Sequence, residues 1–277
     1  MQQLLEEMTL EQKVGQLFLV RPDSLDLSQT QDQINDAKAD GVTELTDAMR
    51  QTLAEYPVGG VVIFGKNLES PQQITQFLDD LQQASDTPLF TAIDEEGGLV
   101  ARLANNAAFD LPQYESAAAV GTSGNPEDAR AVGTVTLNKT LDDLRSCELV
   151  PFAQNVNNAP LIMAAHITVP QVTEDDTPAS LSSVMLMDLL RGELGYQGLI
   201  VTDSLAMQAI TDVYTPGQAA VKALQAGADL LLMPNGLADA YTAVLEAVQD
   251  GTIPQQRLDE SVQRILQCKY QYGILTQ

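Results

Sequence analysis

Short apolar runs alternate with amphipathic stretches along most of the chain. Six runs are rich in β-branched and aliphatic residues, which is typical of strands buried on both faces of a parallel sheet. They lie near residues 17–20, 60–64, 88–93, 161–165, 198–202 and 229–233. Between the runs, apolar residues recur at helical spacing. The alternation predicts parallel βα units.

Capping residues mark where several helices begin. Thr9 with Gln12 three residues later forms a capping-box pattern, and Ser70-Pro71 places an N-cap before a proline at the first helical position. The polar segment 23–47 is expected to be a surface excursion without chemistry that can be assigned. Further helices are predicted over about 126–132, 141–155, 180–194, 216–226, 237–250 and 254–271.

Polar residues follow the predicted strands at their C-terminal ends. Asp94, His166, Asp203 and Asn235 all stand in this position, which forms the catalytic rim of a (β/α) barrel. A standard barrel has eight strands, and this chain supplies six. We therefore predict an α/β fold, a single-domain TIM-type (β/α) barrel over residues 1–277 that is incomplete, with about six of eight βα units, or rearranged.

Composition excludes several classes of partner and cofactor. With 38 acidic and 14 basic residues the net charge is −24, which repels nucleic acid and anionic membranes. One histidine and two distant cysteines predict neither a metal site nor a disulfide framework. No nucleotide-binding motif indicates a cofactor. The expected location is the cytoplasm, or outside the cell if a signal peptide has been removed.

Four groups could bear chemistry, and each has a structural alternative. Asp203 is a candidate carboxylate or an N-cap for the next helix. The segment 94–98, Asp-Glu-Glu-Gly-Gly, could bind hydroxyls, share a two-carboxylate hydrolytic site with Asp203, or form a solvated loop. The Arg102 guanidinium could hold a ligand through two hydrogen bonds, or it could form an ion pair with the carboxylates of this segment. His166 is a site residue or a hydrogen-bonded wall residue.

At these residues the sequence resembles family 3 glycoside hydrolases, particularly single-domain bacterial β-N-acetylglucosaminidases. The resemblance implies retaining hydrolysis of O-glycosyl bonds in N-acetylglucosaminide-type glycans, with Asp203 as nucleophile. It implies that Asp94 and Arg102 hold the sugar, and that His166 and Met207 also belong to the substrate site. The matching segments are 8–17, 58–64, 92–102 (with D-x-E-G-G-x-x-x-R), 198–207 (with T-D-x-x-x-M) and 226–233.

The sequence departs from the family pattern near Gly133-Thr134. There the family has a longer segment with two barrel strands, a sugar-binding arginine and a K-H-F-P-G-H-G-type loop that supplies the acid/base histidine; none of these is found here. Three alternatives follow: a glycosidase whose acid is recruited elsewhere, at His166 or Glu95, a degenerate or deletion form with weak activity, or a glycan-binding or scaffold protein. Unpaired strand edges at the junction predict a homo-oligomer.

Overall fold

The computed structural model describes residues 2–113 and 136–276 and contains two compact units. One unit combines Met1–Phe18 with Gly133–Gln277, and the other is Leu19–Val132. The predicted helix 126–132 and the departure at Gly133-Thr134 lie outside the described residues. In the part of the chain that is described, no helix has the length and apolar character needed to cross a membrane.

The unit Leu19–Val132 is built on three parallel strands, β1 (Phe18–Val20), β2 (Gly60–Ile63) and β3 (Phe90–Ile93). β2 pairs with β1 on one side and with β3 on the other, and all four of its residues are buried. Gly60 lies where the strands come closest, since a Cβ there would stand 2.5 Å from the Phe90 carbonyl oxygen. The prediction of a strand buried on both faces is confirmed for β2.

β3 is more exposed than its sequence predicts. Its apolar run suggests a second buried strand, but Thr91 and Ala92 are exposed. Among the described residues β3 pairs with β2 alone, so one edge has no neighbouring strand to cover it. After β3 the chain enters an antiparallel hairpin formed by β4 (Glu95–Gly97) and β5 (Val100–Ala101).

The polar segment 23–47 lies mostly on the surface, as its composition predicts, but its first residues are buried. Asp23 is fully buried, and its carboxylate accepts hydrogen bonds from the Val42 backbone at 3.1 Å and from the Asn67 amide at 2.9 Å. Lys66 pairs with the same carboxylate at 3.3 Å. The buried Asp23 carboxylate therefore connects this segment to the turn after β2. The α-helices in the described part of this unit are Gln31–Asn35, Asp47–Glu55 and Pro71–Ala84, and short 3₁₀ turns cover Pro22–Leu25, Gly65–Asn67 and Ala107–Phe109.

The other unit also contains parallel strands, β6 (Leu161–Ala164), β7 (Leu199–Thr202) and β8 (Leu231–Leu232). β6 and β7 pair in register, and Val201 forms a parallel bridge with Leu230, directly before β8. β7 is wholly buried. In β6, by contrast, the side chain positions alternate, and Leu161 and Met163 are 38% and 50% exposed.

Helices fill the intervals between these strands largely as predicted. The expected helix over 141–155 is divided, because Pro151 supplies no backbone N–H and restricts the residue before it. The expected helix over 180–194 is a short 3₁₀ turn followed by a π-helix. The observed helical segments are Gln2–Glu7, Leu10–Gly15, Leu141–Ser146, Val150–Asn155, Pro170–Thr173, Ala179–Leu181, Val184–Glu193, Gln208–Thr211, Pro216–Ala226, Leu237–Gln249 and Gln255–Gln271.

Lys269 of the helix Gln255–Gln271 is fully buried, and its ammonium donates to the Gln16 side chain at 2.7 Å. Burial lowers the pKa of Lys269 to about 7, because the charged form loses hydration. Between this pKa and the ordinary value of about 10.4, the unfolded chain binds more protons than the folded chain. The Lys269 contribution therefore increases the free energy of unfolding as pH rises through this window.

We expect the free energy of unfolding of the parent, relative to that of Lys269→Met, to increase by up to about 1.4 kcal/mol per pH unit above pH 7. Urea unfolding of both proteins at a series of pH values measures this difference and cancels the titration of every other group. A difference that is constant with pH would show that Lys269 titrates normally in the folded chain.

Candidate active site

Asp203 follows the buried strand β7 directly. Its backbone N–H donates to the Ala164 carbonyl at 2.9 Å, which continues the β6–β7 ladder past the strand end. Its Oδ1 accepts from the Ser204 N–H at 2.7 Å, and the residue is half-buried. The next helix begins only at Gln208, with Met207 at its N-cap. The N-cap alternative for Asp203 is therefore wrong, and its carboxylate lies on the strand-end rim.

His166 is positioned beside Asp203 by the register of the two strands. Ala164 lies opposite Thr202, so the chain leaves β6 and β7 at the same edge. The imidazole is 4% exposed; its Nδ1 lies 2.6 Å from the Ser180 Oγ and its Nε2 lies 2.8 Å from the Ser204 carbonyl oxygen. Both ring nitrogens are thus engaged by the protein.

These contacts define the protonation state of His166. The Ser204 carbonyl can only accept, so Nε2 bears the proton, and Nδ1 accepts from the Ser180 hydroxyl. Burial lowers the pKa of His166, although the Ser204 carbonyl and the Asp203 carboxylate oppose the shift. The ring holds the Ser204 carbonyl, and the Ser204 N–H in turn donates to Asp203. This geometry is that of a wall residue.

The end of β8 adds two features that the sequence pattern did not indicate. The Thr202 hydroxyl accepts from the Leu232 N–H at 3.1 Å. The threonine before Asp203 thus links the end of β7 to β8. Met233 adopts a φ of 46°, a left-handed conformation that costs energy for a residue with a side chain and persists only where its surroundings impose it. No periodicity in the sequence predicts such a backbone.

Asp94 and Arg102 lie in the other unit, after β3 and β5. The Arg102 guanidinium approaches the Asp94 carboxylate at 3.5 Å, and the Arg102 N–H donates to the Asp94 carbonyl. The Phe64 ring lies 5.3 Å from the Arg102 guanidinium and 4.1 Å from that of Arg21, within cation–π range. A long, part-exposed ion pair contributes little to stability. Among the described residues the buried Arg102 Nε has no hydrogen-bond partner.

Glu95 has a structural position in this loop. Its two carboxylate oxygens accept from the N–H groups of Leu103 and Ala104 at 2.9 and 3.1 Å. Gly97 and Gly98 both have positive φ, as the loop alternative expects. The carboxylate of Glu95 thus braces the turn after Arg102, and this position does not favour its recruitment as a proton donor.

The structure therefore distributes the predicted site residues over both units. Asp203, His166 and Met207 lie in one unit, with Met207 largely exposed, and Asp94 and Arg102 lie in the other. Their catalytic and sugar-binding roles stay predictions. Within residues 2–113 and 136–276, no three His, Cys, Asp or Glu side chains converge as metal ligands.

In residues 2–113 and 136–276, parallel strands followed by helices, with carboxylates at the strand ends, define a fold of the TIM-type (β/α) barrel class with fewer than eight βα units. Solved structures share this fold. The chain superposes with a TM-score of 0.80 on a glycoside hydrolase family 3 β-N-acetylglucosaminidase from Paenibacillus, at 27% identity, over 96% of this chain and 63% of that one. A β-N-acetylhexosaminidase from Beutenbergia cavernae gives a TM-score of 0.73 at 21% identity, over 95% and 99% of the two chains.

The chain belongs to the glycosyl hydrolase family 3 N-terminal domain family, which matches residues 9–140 and 121–268. It is 25% identical to Beta-hexosaminidase A from Pseudoalteromonas piscicida, over 82% of this chain and 56% of that protein. It is 29% identical to a Beta-hexosaminidase from Pseudomonas aeruginosa, over 79% of this chain and 87% of that one. The chain thus spans about half of the first relative and most of the second. The resemblance predicted from the motifs is confirmed.

Proposed function

We propose that the chain is a retaining glycoside hydrolase of the β-N-acetylhexosaminidase type with Asp203 as its nucleophile. The observation that supports this most directly is the position of the Asp203 carboxylate, on the rim after a buried strand and held by the Ser204 N–H. Its relatives are β-hexosaminidases, and Asp203 lies in the matched region. The substrate class is an N-acetylglucosaminide-type glycan.

In the proposed reaction the Asp203 carboxylate attacks the anomeric carbon while the bond to the leaving oxygen breaks. The leaving oxygen takes up a proton or departs as an anion, and a covalent glycosyl-enzyme is formed. Water then attacks the same carbon, the bond from that carbon to the Asp203 oxygen breaks, and the water gives up one proton to solvent. The Asp203 carboxylate is regenerated, and the sugar leaves with its original configuration. Asp94 and Arg102 bind hydroxyl groups of the sugar in this proposal.

The supply of the leaving-group proton limits the proposed activity. His166 is the one histidine of the chain, and both of its nitrogens are engaged. Glu95, the other candidate, accepts from two backbone N–H groups. General acid catalysis contributes about 10²–10⁴-fold. We therefore propose weak activity on unactivated glycosides.

The test compares two β-N-acetylglucosaminides, a dinitrophenyl glycoside whose leaving group needs no proton and a methyl glycoside. We expect slow turnover of the first and almost none of the second, with retained configuration by proton NMR. Equal turnover of both would mean that a competent acid is present. Binding of N-acetylglucosamine without turnover of either would favour the glycan-binding alternative.

His166→Ala separates a wall residue from an acid. We expect turnover of the dinitrophenyl substrate, whose leaving group needs no proton, to change by less than about tenfold. Any residual rate on the methyl glycoside should also fall by less than the usual contribution of a general acid, about 10²–10⁴-fold. The free energy of unfolding should fall by about 1–3 kcal/mol, because the Ser180 hydroxyl and the Ser204 carbonyl lose their buried partner. Rate assays and urea unfolding on the same preparation measure both. A selective loss of activity on the methyl glycoside would instead identify His166 as the acid.

We further propose that the chain forms a homo-oligomer through its strand edges. In the described ranges, β3 pairs with β2 alone and β6 with β7 alone, and Leu161 and Met163 of β6 are exposed. Unpaired edges of this kind favour pairing with another chain. Light scattering is expected to give at least a dimer, and a well-folded monomer at micromolar concentration would contradict the proposal.

A further inference from the structure

A cavity lies at the opposite ends of β6 and β7 from Asp203. Its volume is about 520 Å³, within the range of small-ligand sites. It is lined by the segment 156–160 before β6, by residues 197–199 at the start of β7, and by one face of the helix Gln255–Gln271. A four-residue strand spans on the order of 13 Å, so this cavity is separate from the rim that bears His166 and Asp203.

Six carboxamide side chains line the cavity, together with apolar residues of the segment 156–160 and of β7. Three of them are spaced four residues apart on the C-terminal helix and form one ridge along it. In the part of the chain that is described, five of the six make no side-chain hydrogen bond to the protein; Gln197 donates to the Gly195 carbonyl. The six are Asn157, Asn158, Gln197, Gln263, Gln267 and Gln271.

The charge of this lining is balanced, although the whole chain is strongly acidic. Arg264 and Glu260 are the charged side chains that line the cavity, one of each sign, whereas the chain has a net charge of −24. Arg264 is already paired with the buried Asp229 at 3.1 Å. The cavity therefore offers neither a strong cation site nor a strong anion site.

Free carboxamides match the hydroxyl and acetamido groups of sugars, because each has both donors and an acceptor. The exposed ring of Tyr272 borders the same cavity and offers an apolar face with a polar tip. We propose that this cavity binds a short neutral oligosaccharide, as a second carbohydrate site distinct from the one at Asp203. This inference does not depend on hydrolysis at Asp203.

The experiment titrates chitotriose into the Asp203→Asn protein, which removes hydrolysis, and follows side-chain amide resonances by NMR. We expect millimolar binding with shifts of the cavity amides. Combining Gln263→Ala with Gln267→Ala should weaken binding at least tenfold, as followed at the four cavity amides that remain. Gln249→Ala, an exposed glutamine of the same unit outside the cavity, is the matched control and should bind as before.

Three outcomes would overturn the inference. The first is that chitotriose and cellotriose both leave the cavity amides unshifted at tens of millimolar, and the second is that their binding persists unchanged in the double variant. Inorganic phosphate in place of the sugars tests an anion site at Arg264, and shifts from phosphate alone would exclude the carbohydrate assignment. Unchanged far-ultraviolet circular dichroism of the double variant confirms that the fold is intact.

Discussion

Asp203→Asn is expected to lower turnover of dinitrophenyl N-acetylglucosaminide by about 10³-fold or more, since no other group then forms the covalent intermediate. The substitution keeps the shape of the side chain, and the amide oxygen can still accept from the Ser204 N–H that now binds Oδ1 at 2.7 Å. Loss of activity should therefore occur without loss of structure. Steady-state rates, with thermal unfolding as a check on folding, measure this.

Asp212→Asn provides the matched control for this experiment. Asp212 lies nine residues further along the same unit and is exposed, so the same change of chemistry there should leave the rate unaltered. If Asp203→Asn instead turns over the activated substrate at the parental rate, the nucleophile has been assigned to the wrong residue.

Asp229→Ala is expected to lower the free energy of unfolding by about 3–5 kcal/mol, the usual effect of removing one partner of a buried ion pair. Asp229 is fully buried, and Arg191 and Arg264 contact its carboxylate at 2.5 and 3.1 Å. It also accepts from the Ile200 N–H and the Ser261 hydroxyl. Its removal leaves guanidinium groups without their buried counter-charge. Domains unfold at a cost of about 5–15 kcal/mol, so urea unfolding should detect a large loss.

Asp142→Ala is the control for this second prediction. Asp142 pairs with Arg145 at 3.0 Å, but its side chain is 91% exposed, and exposed pairs contribute about 0–1 kcal/mol. A loss at Asp229 no larger than the loss at Asp142 would contradict the view that the buried cluster stabilises this unit.

Local features of the fold were predictable where neighbouring residues decide them. The Ser70 N-cap before Pro71 and the capping box at Thr9 are both present as expected. The exposure of β3 was not predictable, because an apolar run has the same sequence whether or not a further strand covers it. The burial of Asp23 could not be predicted from neighbouring residues either, because its partners Asn67 and Lys66 lie more than forty residues away in the sequence.

The candidate site was predictable only in part. Asp203 and His166 each follow a predicted strand directly, which placed both on one rim. The register of β6 and β7 brings them together there. The N-cap alternative for Asp203 could not be excluded from sequence, because it depends on where the next helix begins. The role of His166 depends on contacts with Ser180 and Ser204, which are separated from it by 14 and 38 residues.

The Asp229 cluster also constrains the order in which this unit can assemble during synthesis. Its carboxylate emerges from the ribosome after Arg191 and β7, but before Ser261 and Arg264, which share its Oδ1. Until the helix Gln255–Gln271 has been made, one oxygen of this acid lacks these partners. Asp229 also accepts from the Ile200 N–H at the edge of β7, so this edge is completed late. The nascent chain therefore depends on contacts between residues distant in sequence, and such contacts slow folding.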